Sequence, residues 1–213
     1  EPTSVVRRIP DLLAAFGPTD TALGANELTR RTGIPKATVS RLVKEMEGVG
    51  FLERSGVKVG LGLRLFELGE RASRRRSVRE VALPFLADLR KATRQTVHLA
   101  TLDGAEVVYV EILPGRDAPW LPSGVGGRLP AHATGVGKAL LAGSPPAAFE
   151  AVVAAGLSRV GPRTITTPGA LVRQLRRIAS TGIAYEHEES APGVAWVASA
   201  VRGGDGSPVG AVP

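Results

Sequence analysis

The chain has 213 residues, with 27 Lys and Arg against 20 Asp and Glu, a net charge of +7, no Cys and nine aromatic residues. With 43% hydrophobic residues it has enough apolar material for one large domain or two small ones around packed cores, which excludes a disordered chain. The absence of Cys excludes disulfide frameworks, thiolate nucleophiles and thiolate metal sites, and fits a reducing cytoplasm. Apolar runs such as Ala151–Ala155 fall far short of the roughly 20 residues that a membrane-spanning helix needs, and the positive balance makes nucleic acid the first candidate among anionic partners.

Glu1 has neither an initiator Met nor the order of a secretory signal, and is expected to open an ordered or trimmed fragment. Val5, Val6, Ile9, Leu12, Leu13 and Phe16 lie on one helical face. Pro10 is tolerated in a first turn, which would start that helix near Ile9. Ala25–Thr32 reads as a short helix ended by Gly33 in a left-handed turn, with Pro35 opening the next. Two helices joined by about three residues make a helix-turn-helix.

In the second of these helices Val39, Leu42, Val43 and Met46 share a buried stripe, so Ala37, Arg41 and Lys44 point away from the core, flanked by Ser40. Lys36 and Thr38 lie at its N-terminal end, the end that helix-turn-helix proteins place in the major groove. There Arg41 can donate a bidentate pair to guanine, Ser40 and Thr38 can bond bases or phosphate, and Ala37 can touch a thymine methyl. Lys36 and Lys44 suit phosphates. A solvated helix face would carry the same residue types. Phe51–Arg54 and Val57–Leu61, the latter with Lys58, surround a Ser55-Gly56 turn. A hairpin there is a wing, a narrower proposition than a basic face.

Leu65, Leu68 and Ala72 then lie at helical spacing, with Arg74–Arg76 near the helix C-terminus, where cations are favourable. Those arginines face solvent, the other domain or DNA phosphates. Further on, Val97–Leu102 and Glu106–Leu113 flank Asp103-Gly104 and predict a hairpin. Gly135-Val136-Gly137-Lys138 fails as a phosphate loop, because His132 stands where Gly is needed and Ala139 where Ser or Thr is needed. What remains is a Gly-bearing loop opening onto a helix Lys138–Ala142, whose free N–H groups suit a small carboxylate. A structural Gly turn is the alternative. Glu186-His187-Glu188-Glu189 faces alternately on an extended segment and lacks a second ligand set, so no metal site is expected. His98 and His132 read as structural.

The blocks Glu27–Leu42, Gly50–Arg54, Leu61–Gly69, Leu129–Ala142, Gly182–Glu189 and Gly193–Ala198, in this order, resemble the IclR-type bacterial transcription regulators. The resemblance implies an α+β chain: a winged helix-turn-helix over 1–62, a linker helix over 63–76 and a GAF-like effector-binding domain over 77–213. It implies that Gly135 and Val136 offer backbone N–H groups to an effector and that Glu186 stands at an often acidic pocket position. Trp196 stands where some members carry Cys, so the effector should differ from the small keto acids those members bind. Either it is aromatic, or Trp196 partly fills the pocket or simply belongs to the core.

The partners implied are double-stranded operator DNA, a small-molecule effector and further copies of the chain, as a homodimer or dimer of dimers, in the cytoplasm, with no cofactor, metal or membrane. A small-molecule enzyme with a protein-contact winged helix is the rival; no Cys, metal cluster or G-x-S-x-G motif supports it. RNA binding is disfavoured by the low aromatic count. Residues 1–76 hold 14 Lys and Arg against 9 Asp and Glu, and the remainder 13 against 11, so most of the positive excess is expected in the winged half. Pro213 is expected to fall inside the family's closing strand, before a Ser-bearing pocket segment and a last helix.

Overall fold

Local pairing and helix packing divide the chain into two units, Glu1–Ser73 and Arg74–Pro213. The computed structural model describes residues 4–17, 19–71, 73–116 and 124–212, without the side chains of 73–77. The side chains of Arg74–Arg76 therefore lie outside the described residues.

In the first unit, helix α1 spans Val5–Ala14. It starts a turn earlier than the expected Ile9, because the Ser4 hydroxyl accepts from the Val6 N–H at 3.3 Å and caps it. Pro10 is then inside the helix, where its missing N–H removes one intrahelical bond. Helices α2 (Ala25–Thr32) and α3 (Lys36–Gly48) are separated by Gly33, which takes the left-handed conformation at φ 69°, Ile34 and Pro35. Strands β1 (Leu52–Ser55) and β2 (Lys58–Leu61) pair antiparallel into the wing. Leu12, Leu28, Val39, Leu42, Met46, Leu52 and Val59 form one core, so every element of the helix-turn-helix and wing contributes to holding α3 in place.

Both expected hairpins form, each with its turn one residue further along. Ser55 pairs with Lys58 and Asp103 with Glu106, so the two-residue turns are Gly56-Val57 and Gly104-Ala105. In each, glycine takes the first turn position with φ near +60°, as in turns that need a positive φ there. Across 63–76, the span expected as a linker helix, α4 covers Leu63–Glu70 and α5 opens at Ser73 and runs to Thr93.

The second unit is built on a six-stranded sheet. Its strands are β3 (Val97–Asp103), β4 (Glu106–Leu113), β5 (Arg128–Pro130), β6 (Ala184–His187), β7 (Ala195–Arg202) and β8 (Pro208–Val212), in the order β5-β4-β3-β8-β7-β6 and antiparallel throughout. Period-2 alternation sends Val97 and Leu99 towards α5, where they meet Leu86, while Ala100, Tyr109, Ala198 and Ala211 join the opposite core. That core also takes in α6 (Gly135–Gly143), α7 (Pro146–Ala155) and α8 (Pro168–Thr181). The chain is thus α+β: a winged helix-turn-helix followed by an antiparallel sheet with helices on both faces.

Candidate functional site

The first candidate surface is the outer side of α3. Val39, Leu42, Val43 and Met46 are buried, and with them fixed Lys36, Ala37, Ser40, Arg41 and Lys44 are exposed and Thr38 is half-buried at the N-terminal end. Arg41 holds Glu45 one turn on at 3.4 Å, with both side chains more than half exposed. An exposed pair of this length contributes little, which leaves the guanidinium available. Lys58 is exposed on the wing beside the turn. Arg30 and Arg31 add to the basic count but are committed elsewhere: both bond Glu27, whose carboxyl is pulled down to about 2 by those bonds. Arg31 also bonds Asp20 and the Ala15 carbonyl. These contacts tie α2 to the loop before it.

The second candidate site lies where α6 crosses the sheet. The helix opens at Gly135, not at the expected Lys138. Two contacts distant in sequence or hidden in composition cause this: the Thr134 hydroxyl accepts from the Gly137 N–H at 3.0 Å, and the Gly135 N–H donates to Glu186 Oε2 at 2.6 Å. The helix N-terminus thus already holds one carboxylate, from its own chain. Glu186 Oε1 accepts from the Ser190 N–H at 3.1 Å and from the Ser190 hydroxyl. Val136 is buried beside them in the first turn of the same helix. Burial raises the Glu186 pKa, opposed by the bonds from Ser190 and Gly135 and by the Lys138 charge.

The remaining wall is aromatic. Trp196 is the cross-strand partner of Glu186 and so shares its face, half-buried. Its ring lies 4.5 Å from that of His98, and His98 meets Tyr109 edge-on at 5.3 Å. Gly135, Val136, Glu186 and Trp196 therefore come together in space. Thr134, Ser190, Tyr109 and His98 join them, and none of these four was singled out for the site from sequence. His132 is structural: its buried Nε2 donates to the Ser158 carbonyl at 3.0 Å.

His98 is 5% exposed, and burial pulls its pKa down to about 4. The native imidazole is neutral, so below about pH 6.5 the unfolded chain takes up a proton that the native state refuses. The associated stability is complete above pH 6.5 and falls by roughly 3 kcal/mol as pH drops to about 4. Urea unfolding of the wild type and His98→Phe at pH 7.5 and 5 should show a smaller loss in the variant; equal losses would remove His98 as the cause.

Beneath this site Lys138 is fully buried. Its Nζ donates to Glu189 Oε1 at 2.5 Å and to Gln174 Oε1 and the Tyr185 carbonyl, both at 2.9 Å. A lone Lys in an otherwise apolar helix was the available signal for an internal ion pair. Among the described residues no group of three or more His, Cys, Asp or Glu is arranged to hold a metal, and no helix is long and apolar enough to cross a membrane.

Comparison with known proteins matches both units. Residues 5–56 match the "IclR helix-turn-helix domain" and residues 71–213 match "Bacterial transcriptional regulator IclR C-terminal". The chain is 32% identical over 196 residues to the HTH-type transcriptional regulator XynR of Escherichia coli, covering 91% of this chain and 78% of that one. It is 30% identical over 203 residues to KdgR of the same organism, covering 93% and 77%. An IclR homolog from Microbacterium hydrocarbonoxydans, solved as a complex with 4-hydroxybenzoate, is 36% identical with a TM-score of 0.87, over 98% of this chain and 87% of that one. A putative regulator from Silicibacter is 28% identical with a TM-score of 0.79, over 98% and 84%. These relatives are regulators and not enzymes, and with both domains matched the chain belongs to the IclR family of bacterial transcriptional regulators.

Proposed function

We propose that the chain binds operator DNA through Lys36, Ala37, Thr38, Ser40, Arg41, Lys44 and Lys58, and that an aromatic carboxylate governs this binding from the second unit. The single observation that carries the effector reading is the convergence of the start of α6, through Gly135 and Glu186, with the Trp196 and His98 rings on one face of the sheet. A helix N-terminus and its dipole suit the anionic end, and the tilted rings of Trp196 and His98 suit an aromatic body. Gly135 supports the site through Glu186, and Glu186 sets the polarity of its edge. The 4-hydroxybenzoate held by the Microbacterium homolog belongs to the same chemical class. Control of DNA affinity requires the effector to bind two arrangements of the protein unequally.

A twofold assembly, either a homodimer or a dimer of dimers, fits this reading. In the first unit α4 exposes Leu63, Phe66 and Leu68, and α1 exposes Val6, apolar surface that a second copy would cover. Sedimentation equilibrium distinguishes these assemblies from a monomer.

The testing experiment is a fluorescence-anisotropy titration of an operator duplex with and without benzoates, alongside a thermal-shift series on the same acids. Benzoates that raise the melting temperature yet leave DNA affinity unchanged would overturn the regulatory assignment. In the same assay Arg41→Ala is expected to cost roughly 1–3 kcal/mol on the cognate site and to relax one base preference. An equal loss on every duplex would make Arg41 a phosphate contact.

A further inference from the structure

Among the described residues His98 Nε2 is one of three buried side-chain polar atoms without a hydrogen-bond partner; the others are Thr101 Oγ1 and Glu189 Oε2. Thr101 follows His98 by three residues on β3 and so faces the other way, and Glu189 is engaged with Lys138 through its other oxygen. His98 alone lies among rings: Trp196 at 4.5 Å on one side and the edge of Tyr109 at 5.3 Å. Ala100 and Leu102, which share its face of β3, belong to the core beneath α6. Gly135 sits over the same face, where a Cβ on it would lie 3.4 Å from the Ala198 Cβ and 3.5 Å from the Glu186 Cβ.

We infer that His98 reads a hydroxyl group on the effector ring, with Trp196 against the face of that ring, so that the preferred ligand is a phenolic acid and not its unsubstituted parent. The inference rests on the aromatic-carboxylate reading above and adds the residue that sets specificity within that class. A neutral imidazole offers one acceptor and one donor nitrogen, and a hydroxyl can serve either. A second carboxylate there would face an uncharged ring in a dry setting, with Glu186 already on the same face. An amine would find only one acceptor and no counter-charge. The anionic end therefore goes to the start of α6 and the hydroxyl end to His98. Discrimination follows from the hydrogen bond that only the hydroxylated ligand adds: a ligand without the hydroxyl occupies the same space and leaves Nε2 as unpaired as it is in the free protein.

The test uses pairs of probes that differ only in the hydroxyl: benzoate with 4-hydroxybenzoate and 3-hydroxybenzoate, and benzamide with 4-hydroxybenzamide. Binding is read by tryptophan fluorescence and calorimetry. For the wild type the better hydroxylated probe is expected to bind roughly 10- to 100-fold more tightly than its parent. His98→Phe keeps an aromatic ring beside Trp196 and should reduce that ratio to within about twofold while still binding benzoate. A second measurement needs no variant: the His98 Nε2 nitrogen resonance should move on adding the hydroxylated probe and stay in place with the parent. A wild-type ratio near one, a ratio that survives in His98→Phe, or a resonance that moves equally with both probes overturns the inference. If only the amide pair binds, and with a His98-dependent preference, the carboxylate reading fails while His98 retains its role. If no aromatic probe binds, both fall.

Discussion

Replacing Lys138 by Met is expected to cost about 3–5 kcal/mol and to leave the second unit largely unfolded at moderate urea. Met approximates the shape of the lysine stem, so the expected loss is electrostatic and not steric. The ammonium is fully buried and satisfies three acceptors, on α8, on β6 and on the loop after β6. Without it Glu189, itself 5% exposed and already lacking a partner for Oε2, becomes a buried carboxylate with no counter-charge. A domain whose total stability is about 5–15 kcal/mol cannot absorb that easily. The partner substitution identifies the cause: Lys138→Met with Glu189→Gln removes both charges and should recover at least about 1 kcal/mol relative to the single variant. Denaturant melts of the three proteins decide the matter. A single variant within 1 kcal/mol of wild type would mean that the ion pair contributes nothing net.

The same residue marks where sequence reading stops. The α3 stripe was legible because helical spacing alone determines which residues face inward, and the structure buries all four. Alternation was equally reliable on β6, where Glu186 is buried and Tyr185 and His187 are exposed. Both hairpins were legible as hairpins, but their turns were displaced by one residue, because Ser-Gly and Asp-Gly suggest glycine second and the strands' register puts it first. The start of α6 was not legible. Gly135-Val136-Gly137 has poor helix propensity, and what makes it helical is the Thr134 cap and Glu186, a partner 51 residues away. Glu189 is equally distant from Lys138, which is why that lysine looked like the remnant of a phosphate loop. The insertion of β8 between β3 and β7 likewise has no local signature. For the sheet, the family blocks carried the fold where periodicity could not.

Gly137→Ala is expected to destabilise the second unit by about 3 kcal/mol or more, at or above the upper end of ordinary overpacking, whereas Gly135→Ala should fold nearly as well as wild type. A Cβ on Gly137 would lie 2.2 Å from the Ala131 carbonyl oxygen, 2.6 Å from the Ala131 Cα and 2.6 Å from the Thr134 hydroxyl. Two of these are backbone atoms of the preceding turn and the third is the capping oxygen, so relief requires losing the cap or moving the turn. A Cβ on Gly135 meets only side-chain atoms, at 3.4–3.6 Å, on Ala198 and Glu186. That crowding is partly offset by the better helix propensity of Ala, worth roughly 0.5–1 kcal/mol. The added methyl would nevertheless press on the Glu186 carboxylate that occupies the helix N-terminus. The two substitutions therefore separate the two readings of this glycine loop. Thermal melts should drop sharply for Gly137→Ala alone, and benzoate titrations should weaken for Gly135→Ala in a protein that remains folded. Unchanged effector affinity in a folded Gly135→Ala would make both glycines structural and move the anion site away from the start of α6.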